Sequence, residues 1–118
     1  MASNDATLFK RVLDMGAQSV MVPYVQTADE AAAAVHAMRY GPLGMRGMAG
    51  MTRATRYGKI DDYFDVAEDE LCLIVQVETL TGLQNLDAIA GTDGVDAVFI
   101  GPADLSASMA LRGQMDHP

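Results

Sequence analysis

The chain has 118 residues, half of them hydrophobic, with eight Lys and Arg against sixteen Asp and Glu for a formal charge of −8. That length holds one domain, 1–118, and the composition suits a packed globular core, not a disordered or fibrous chain, while the acidic balance disfavours a nucleic-acid backbone as partner. No uninterrupted apolar stretch reaches the roughly 18 residues of a membrane span, the N-terminus lacks a charged-then-apolar layout, and the lone Cys72 reads as a small core residue in a reducing compartment, so the expectation is a cytoplasmic protein with no membrane partner.

Asn4 or Asp5 can cap a first helix whose apolar residues Leu8, Phe9, Val12, Leu13 and Met15 keep helical spacing up to Gly16. The run 19–25 is too apolar for a solvent-facing strand and reads as buried and parallel. Thr27 and Glu30 form a capping box for an alanine-rich helix over 28–40, which Gly41-Pro42-Leu43-Gly44 stops. The stretch 45–60 carries Arg46, Arg53 and Arg56 without a clean period and reads as a long loop, of the kind often functional. A short helix over 61–69, a strand over 71–78, a helix over 80–90, the turn Gly91-Thr92-Asp93-Gly94 and a strand over 95–100 follow. The tail from Ala103 can begin as a helical turn.

This strand and helix alternation is the pattern of a parallel α/β sheet, and a full (β/α)8 barrel needs roughly 250 residues. The fold class expected is therefore a partial barrel of three parallel strands with flanking helices. Glu78 and Asp104 each follow an apolar run, 26 residues apart, which is one strand–helix–strand step. Neighbouring strands would bring them out side by side at the carboxyl rim, where α/β proteins place ligands.

Two carboxylates with few other ligands suit a hard cation, Mg2+ or Mn2+ with Co2+ as a further candidate, that keeps positions for water or substrate oxygens. Gln76 shares the strand face of Glu78 and can hold a substrate oxygen, and the N–H groups of Ala103 and Asp104 can receive a carboxylate. A 2-keto acid chelating the cation would have its enolate stabilised there. Each residue also has a plainer reading. Glu78 and Asp104 can be solvated or salt-bridged acids, Gln76 can satisfy a neighbouring backbone group, and Asp14 can be an exposed acid near a helix C-terminus. Arg46, Arg53 and Arg56 either grip an anionic substrate or pair with the abundant acids. The nine methionines read as core filler, and His36 and His117 as surface residues.

The strings Leu13-Asp14-Met15-Gly16-Ala17, Val22-Pro23-Tyr24-Val25, Arg39-Tyr40-Gly41-Pro42-Leu43-Gly44-Met45-Arg46-Gly47, Val75-Gln76-Val77-Glu78-Thr79 and Phe99-Ile100-Gly101-Pro102-Ala103-Asp104-Leu105-Ser106 closely resemble the HpcH/HpaI family of class II pyruvate aldolases. These are metal-dependent enzymes of the phosphoenolpyruvate/pyruvate barrel superfamily that act on 4-hydroxy-2-oxo and 2-keto-3-deoxy acids. The resemblance implies that Glu78 and Asp104 are metal ligands and that Gln76, Ala103 and Asp104 contact pyruvate. It also implies that Asp14 supports the catalytic histidine of a neighbouring subunit, in a homo-oligomer. Family members are about twice as long, and the strands that bring the histidine base and the pyruvate-binding arginine have no counterpart here. Neither His36 nor His117 matches that base.

The expectation is a truncated carbon–carbon lyase that makes pyruvate and an aldehyde, with catalysis by this stretch alone its weak point. General-base help is worth roughly 10²–10⁴ in rate. The alternatives are a non-catalytic remnant that assembles, or binds metal or keto acid, without turnover, and a citrate-lyase-like acyl-CoA lyase, for which no CoA-binding surface is evident.

Overall fold

Three hydrophobic strand segments alternate with helix-rich connections along the chain, and the computed structural model, which describes residues 1–114 and His117, folds the strands into one parallel sheet. The elements are α1 (Ala6–Asp14), β1 (Ser19–Val22), α2 (Ala28–Met38), α3 (Tyr63–Val66), β2 (Cys72–Val77), α4 (Leu80–Gln84), α5 (Leu86–Ala90), β3 (Ala97–Ile100) and α6 (Pro102–Ser108). The strands lie in the order β1-β2-β3, Ser19 opposite Cys72 and Val77 opposite Ile100. The described part measures 52 × 23 × 19 Å, an elongated slab that is part of a (β/α)8 barrel. None of its helices is long and apolar enough to cross a membrane.

Local chemistry sets most of the boundaries. Asp5 caps α1 by accepting the Leu8 N–H, and Gly16 at φ +95° ends that segment in a conformation that side chains resist. Thr27 caps α2 through the Glu30 N–H, but the Glu30 carboxylate reaches back to Gln26 N–H at 2.6 Å instead of to Thr27, so the box is shifted by one residue. The helix expected over 80–90 is two helices. Asn85 leaves the helical conformation, and its Nδ2 donates to the Gln26 carbonyl at 2.8 Å.

The core lies on one face of the sheet. Val20, Val22, Leu73, Val75 and Val77 pack against Phe9 and Leu13 of α1, Ala31, Ala34, Val35 and Met38 of α2, and Ile89 of α5. The alternation follows from the two-residue repeat of a strand. The other face carries Met21, Cys72, Ile74 and Gln76, all half-buried, with Phe99 exposed. Two expectations are corrected by this. Cys72 stands on that less covered face and is free and only half-buried. The methionines are mostly not core filler: Met38 is buried, whereas Met15, Met45, Met48, Met51 and Met109 are exposed, three of them in the irregular stretch 45–60 that has no sheet or helix face to bury them against.

Candidate functional site at the carboxyl rim

Val77 and Ile100 are register partners that close β2 and β3, so Glu78 and Gly101 stand next to each other at the carboxyl rim. The Gly101 N–H donates to the Val77 carbonyl at 3.1 Å. Glycine is required here for space, since a Cβ would lie 2.8 Å from both Cβ and Oε2 of Glu78. Folded over that gap, the Glu78 side chain is only 4 % exposed. Its Oε1 accepts the main-chain N–H of Tyr24 at 2.9 Å, and its Oε2 accepts the Gln76 side-chain amide at 3.2 Å. The strand period does put Gln76 on the same face as Glu78.

Asp104 is exposed in the first turn of α6, which Pro102 opens, with Ala103 between them. The Tyr24 phenol feels both this acid and the buried one. Its pKa is raised, first by the charge of Asp104, then by desolvation, a side-chain hydrogen-bonding contribution from Asp104 and the charge of Glu78. The structure thus brings Gln76, Glu78, Ala103 and Asp104 to one rim, as parallel neighbouring strands require.

Tyr24 is the residue that reading the sequence strand by strand passes over. It lies inside the apolar run 19–25, but β1 ends at Val22 and Tyr24 takes a left-handed backbone at φ 55°. Three neighbours hold the turn in place. Val25 N–H donates to the Gln76 carbonyl at 3.0 Å, Thr79 Oγ1 to Gln26 Oε1 at 2.9 Å, and the Val25 carbonyl would lie only 2.9 Å from a Cβ on Gly82. The available signal was position: Tyr24 stands two residues past the end of β1, and Glu78 one residue past the end of β2.

Asp14 lies elsewhere. It ends α1, five residues before Ser19 opens β1, so it belongs to the amino end of the sheet. Its Oδ2 meets Lys10 Nζ and its Oδ1 meets Arg46 Nη2, each at 2.8 Å. Burial pushes the carboxyl up, but the hydrogen bonds and charges of Arg46 and Lys10 together outweigh it and hold the pKa below the usual 3.8. Arg46 is fully buried, with its guanidinium 4.5 Å from the centre of the Tyr40 ring. It is therefore a structural cation, and of its two readings, pairing with an acid is the one observed. The exposed Arg53 and Arg56 line a cavity of about 360 Å3 with Gln18, Tyr63, Glu70 and Leu71, near the strand starts and away from both rim carboxylates. His36 is exposed on α2.

Chemically, the rim presents carboxylate oxygens without imidazole or thiolate, a donor set that fits a hard divalent cation retaining open positions. Each carboxylate keeps lone pairs beyond the hydrogen bonds described. No third His, Cys, Asp or Glu joins them among the described residues.

A parallel sheet with acids and an amide at its carboxyl rim defines the class of barrel proteins that work at strand C-termini. The model of the HpcH/HpaI aldolase/citrate lyase family matches residues 1–118, and the chain belongs to that family. It is 59 % identical over 115 residues to a hydroxypyruvate/pyruvate aldolase of Sagittula stellata, covering 98 % of this chain and 46 % of the relative. A pyruvate aldolase of Rhizobium etli is 56 % identical over 117 residues, with 99 % and 46 % covered. The crystal structure of a family protein from Burkholderia cenocepacia superposes with a TM-score of 0.95 at 43 % identity, over 98 % of this chain and 47 % of that one. The chain thus spans just under half the length of the curated relatives it matches.

Proposed function

We propose that this chain is the metal- and pyruvate-holding segment of a class II pyruvate aldolase, a cytoplasmic carbon–carbon lyase that cleaves 4-hydroxy-2-oxo acids to pyruvate and an aldehyde. The observation that carries this reading is the buried Glu78 carboxylate, pinned on both oxygens at the rim it shares with Asp104. In this reading Glu78 and Asp104 hold a divalent cation, Mg2+ or Mn2+ with Co2+ also accepted. The chemistry such a cation supplies when bound is positive charge against an enolate developing beside a carboxylate.

The protein groups do the positioning. Gln76 presents its amide from the strand face that also carries Glu78, where it can orient a keto acid, and Ala103 and Asp104 offer main-chain N–H groups from the first turn of α6. Gly101 lets the Glu78 side chain lie flat against β3, which fixes the carboxylate direction before any ligand arrives. Asp14, at the other end of the sheet, has its role across a subunit boundary, toward the histidine of a neighbouring copy. Its pairing with Lys10 and Arg46 keeps it ionised for that contact.

The test is thermal unfolding with Mn2+ and pyruvate. At a concentration about ten times the dissociation constant, binding raises the midpoint by about 5 °C. Unchanged melting of the parent chain with every divalent cation tried overturns the reading.

Assembly is a further part of this reading. The half-covered face with Met21, Ile74 and Phe99, and the outer edge of β3, are open among the described residues, while the Met1 amino group takes the Met21 carbonyl on the β1 side. Open edges and apolar faces invite pairing with a second copy. Sedimentation at micromolar concentration is expected to show a dimer or larger species, and a folded monomer would count against it.

A further inference from the structure

Two arginines of the irregular loop have no part in the chemistry of the carboxyl rim. Arg53 and Arg56 line the cavity of about 360 Å3 at the amino end of the sheet. Neither side chain makes an ion pair or hydrogen bond among the described residues, although the chain carries twice as many acids as Lys and Arg. We propose that this cavity is a second binding site, separate from the rim, for a small organic acid with an apolar body and a single carboxylate head.

The loop that presents the arginines is tied down from within. Thr55 is 2 % exposed, and its hydroxyl donates to the Gly50 carbonyl at 2.7 Å and accepts the Gly58 N–H at 3.1 Å. The Arg56 N–H meets the Arg53 carbonyl at 3.0 Å, closing a turn that brings both residues to one cavity, and the Ala54 N–H ties that turn to the Asp14 carbonyl at 3.2 Å. Around Thr55 the backbone is left-handed at three successive residues, Arg56, Tyr57 and Gly58, with φ 49°, 57° and 78°. Residues with side chains enter that region singly, and strain of this kind clusters at ligand sites.

The lining matches the ligand class. Ile60, Val66 and Leu71 supply an apolar wall, and the volume lies within the range of small-molecule sites, roughly 300–1,000 Å3. A planar carboxylate takes paired N–H donors from a guanidinium. Charge then selects the head. Glu70 shares the cavity and is engaged by the Gln18 amide at 3.4 Å, not by either arginine. Two cations against one acid accommodate one added negative charge, and the −8 of the whole chain weighs against a dianion such as a phosphate ester.

The test titrates benzoate, a carboxylate on an apolar ring, into the isotope-labelled parent chain, with benzamide as its uncharged counterpart, and follows the main-chain amide resonances. Saturable shifts are expected at Ala54, Tyr63 and Leu71, around the cavity, with Glu78 and Asp104 at the rim unmoved. Benzamide should bind roughly tenfold more weakly, as should benzoate to the double variant Arg53→Gln/Arg56→Gln, since each lacks the charge-assisted contact. Both arginines are exposed, and glutamine at 56 carries the same backbone cost as arginine, so the double variant should melt like the parent. The benzamide comparison needs no variant. Absence of saturable shifts at the cavity amides, equal binding of benzamide, or parent-like benzoate binding by the double variant would overturn the proposal and leave the reading of the rim untouched.

Discussion

Glu78→Gln is expected to leave the chain folded while removing its stabilisation by Mn2+ and pyruvate. Glutamine keeps the length of the side chain that lies against Gly101 and keeps one oxygen for the Tyr24 N–H. Its new amide faces the Gln76 side chain, which can rotate its own oxygen to meet it, so the hydrogen bonds at the rim are conserved in number. What disappears is the negative charge, and with it a ligand for a hard cation. The melting midpoint without cation should stay within a few degrees of the parent. The shift of about 5 °C expected for the parent at tenfold excess of cation should fall to zero. A variant that still responds fully to Mn2+ would remove Glu78 from the metal site.

The second large effect is on stability and comes from the other end of the sheet. Arg46→Met removes the fully buried cation that pairs with Asp14 and stacks on Tyr40. Truncating one member of a buried pair costs as much as 3–5 kcal/mol. Asp14 retains Lys10, and its side chain is 18 % exposed. Two buried guanidinium nitrogens, Nε and Nη1, also lack hydrogen-bond partners and are eliminated by the change. The expected net loss is therefore smaller, about 2 kcal/mol, measured by urea unfolding near neutral pH. Acid dependence separates this mechanism from simple loss of packing. The folded-state pKa of Asp14 lies below 3.8, so its ionised form contributes stability that is present above 3.8 and is lost as the pH falls through the lowered value. The difference between parent and Arg46→Met should accordingly narrow in acid. A constant difference down through that range would mean that Arg46 acts by packing on Tyr40 alone.

How much of this was legible in the sequence depended on how local the cause was. Asp5 and Thr27 were readable as caps because a cap is made within three residues, and both accept the N–H expected of them. The rim was readable because strand ends, apolar runs and a one-crossover separation place Glu78 and Asp104 just past the ends of adjacent strands without any side-chain detail. Features decided by distant residues were not readable. The break at Asn85 depends on the Gln26 carbonyl, 59 residues away. The early end of β1 depends on Tyr24 turning to meet Glu78, 54 residues away. Likewise nothing local to the arginine-bearing loop shows that Arg46 is the buried member, because its partners Asp14 and Tyr40 are brought there by α1 and by the chain that follows α2. The exposed methionines have the same origin, since their loop lacks a repeating face for a periodicity argument to use.

Where the cation goes is decided by anomalous scattering from a crystal of this chain grown with Mn2+ and pyruvate. A single strong peak is expected at the carboxyl rim, with oxygens of Glu78 and Asp104 both in its coordination shell at about 2.1 Å, as for a small hard cation. A peak held by other side chains, or a rim with both acids ordered in saturating Mn2+ and no peak between them, would contradict it.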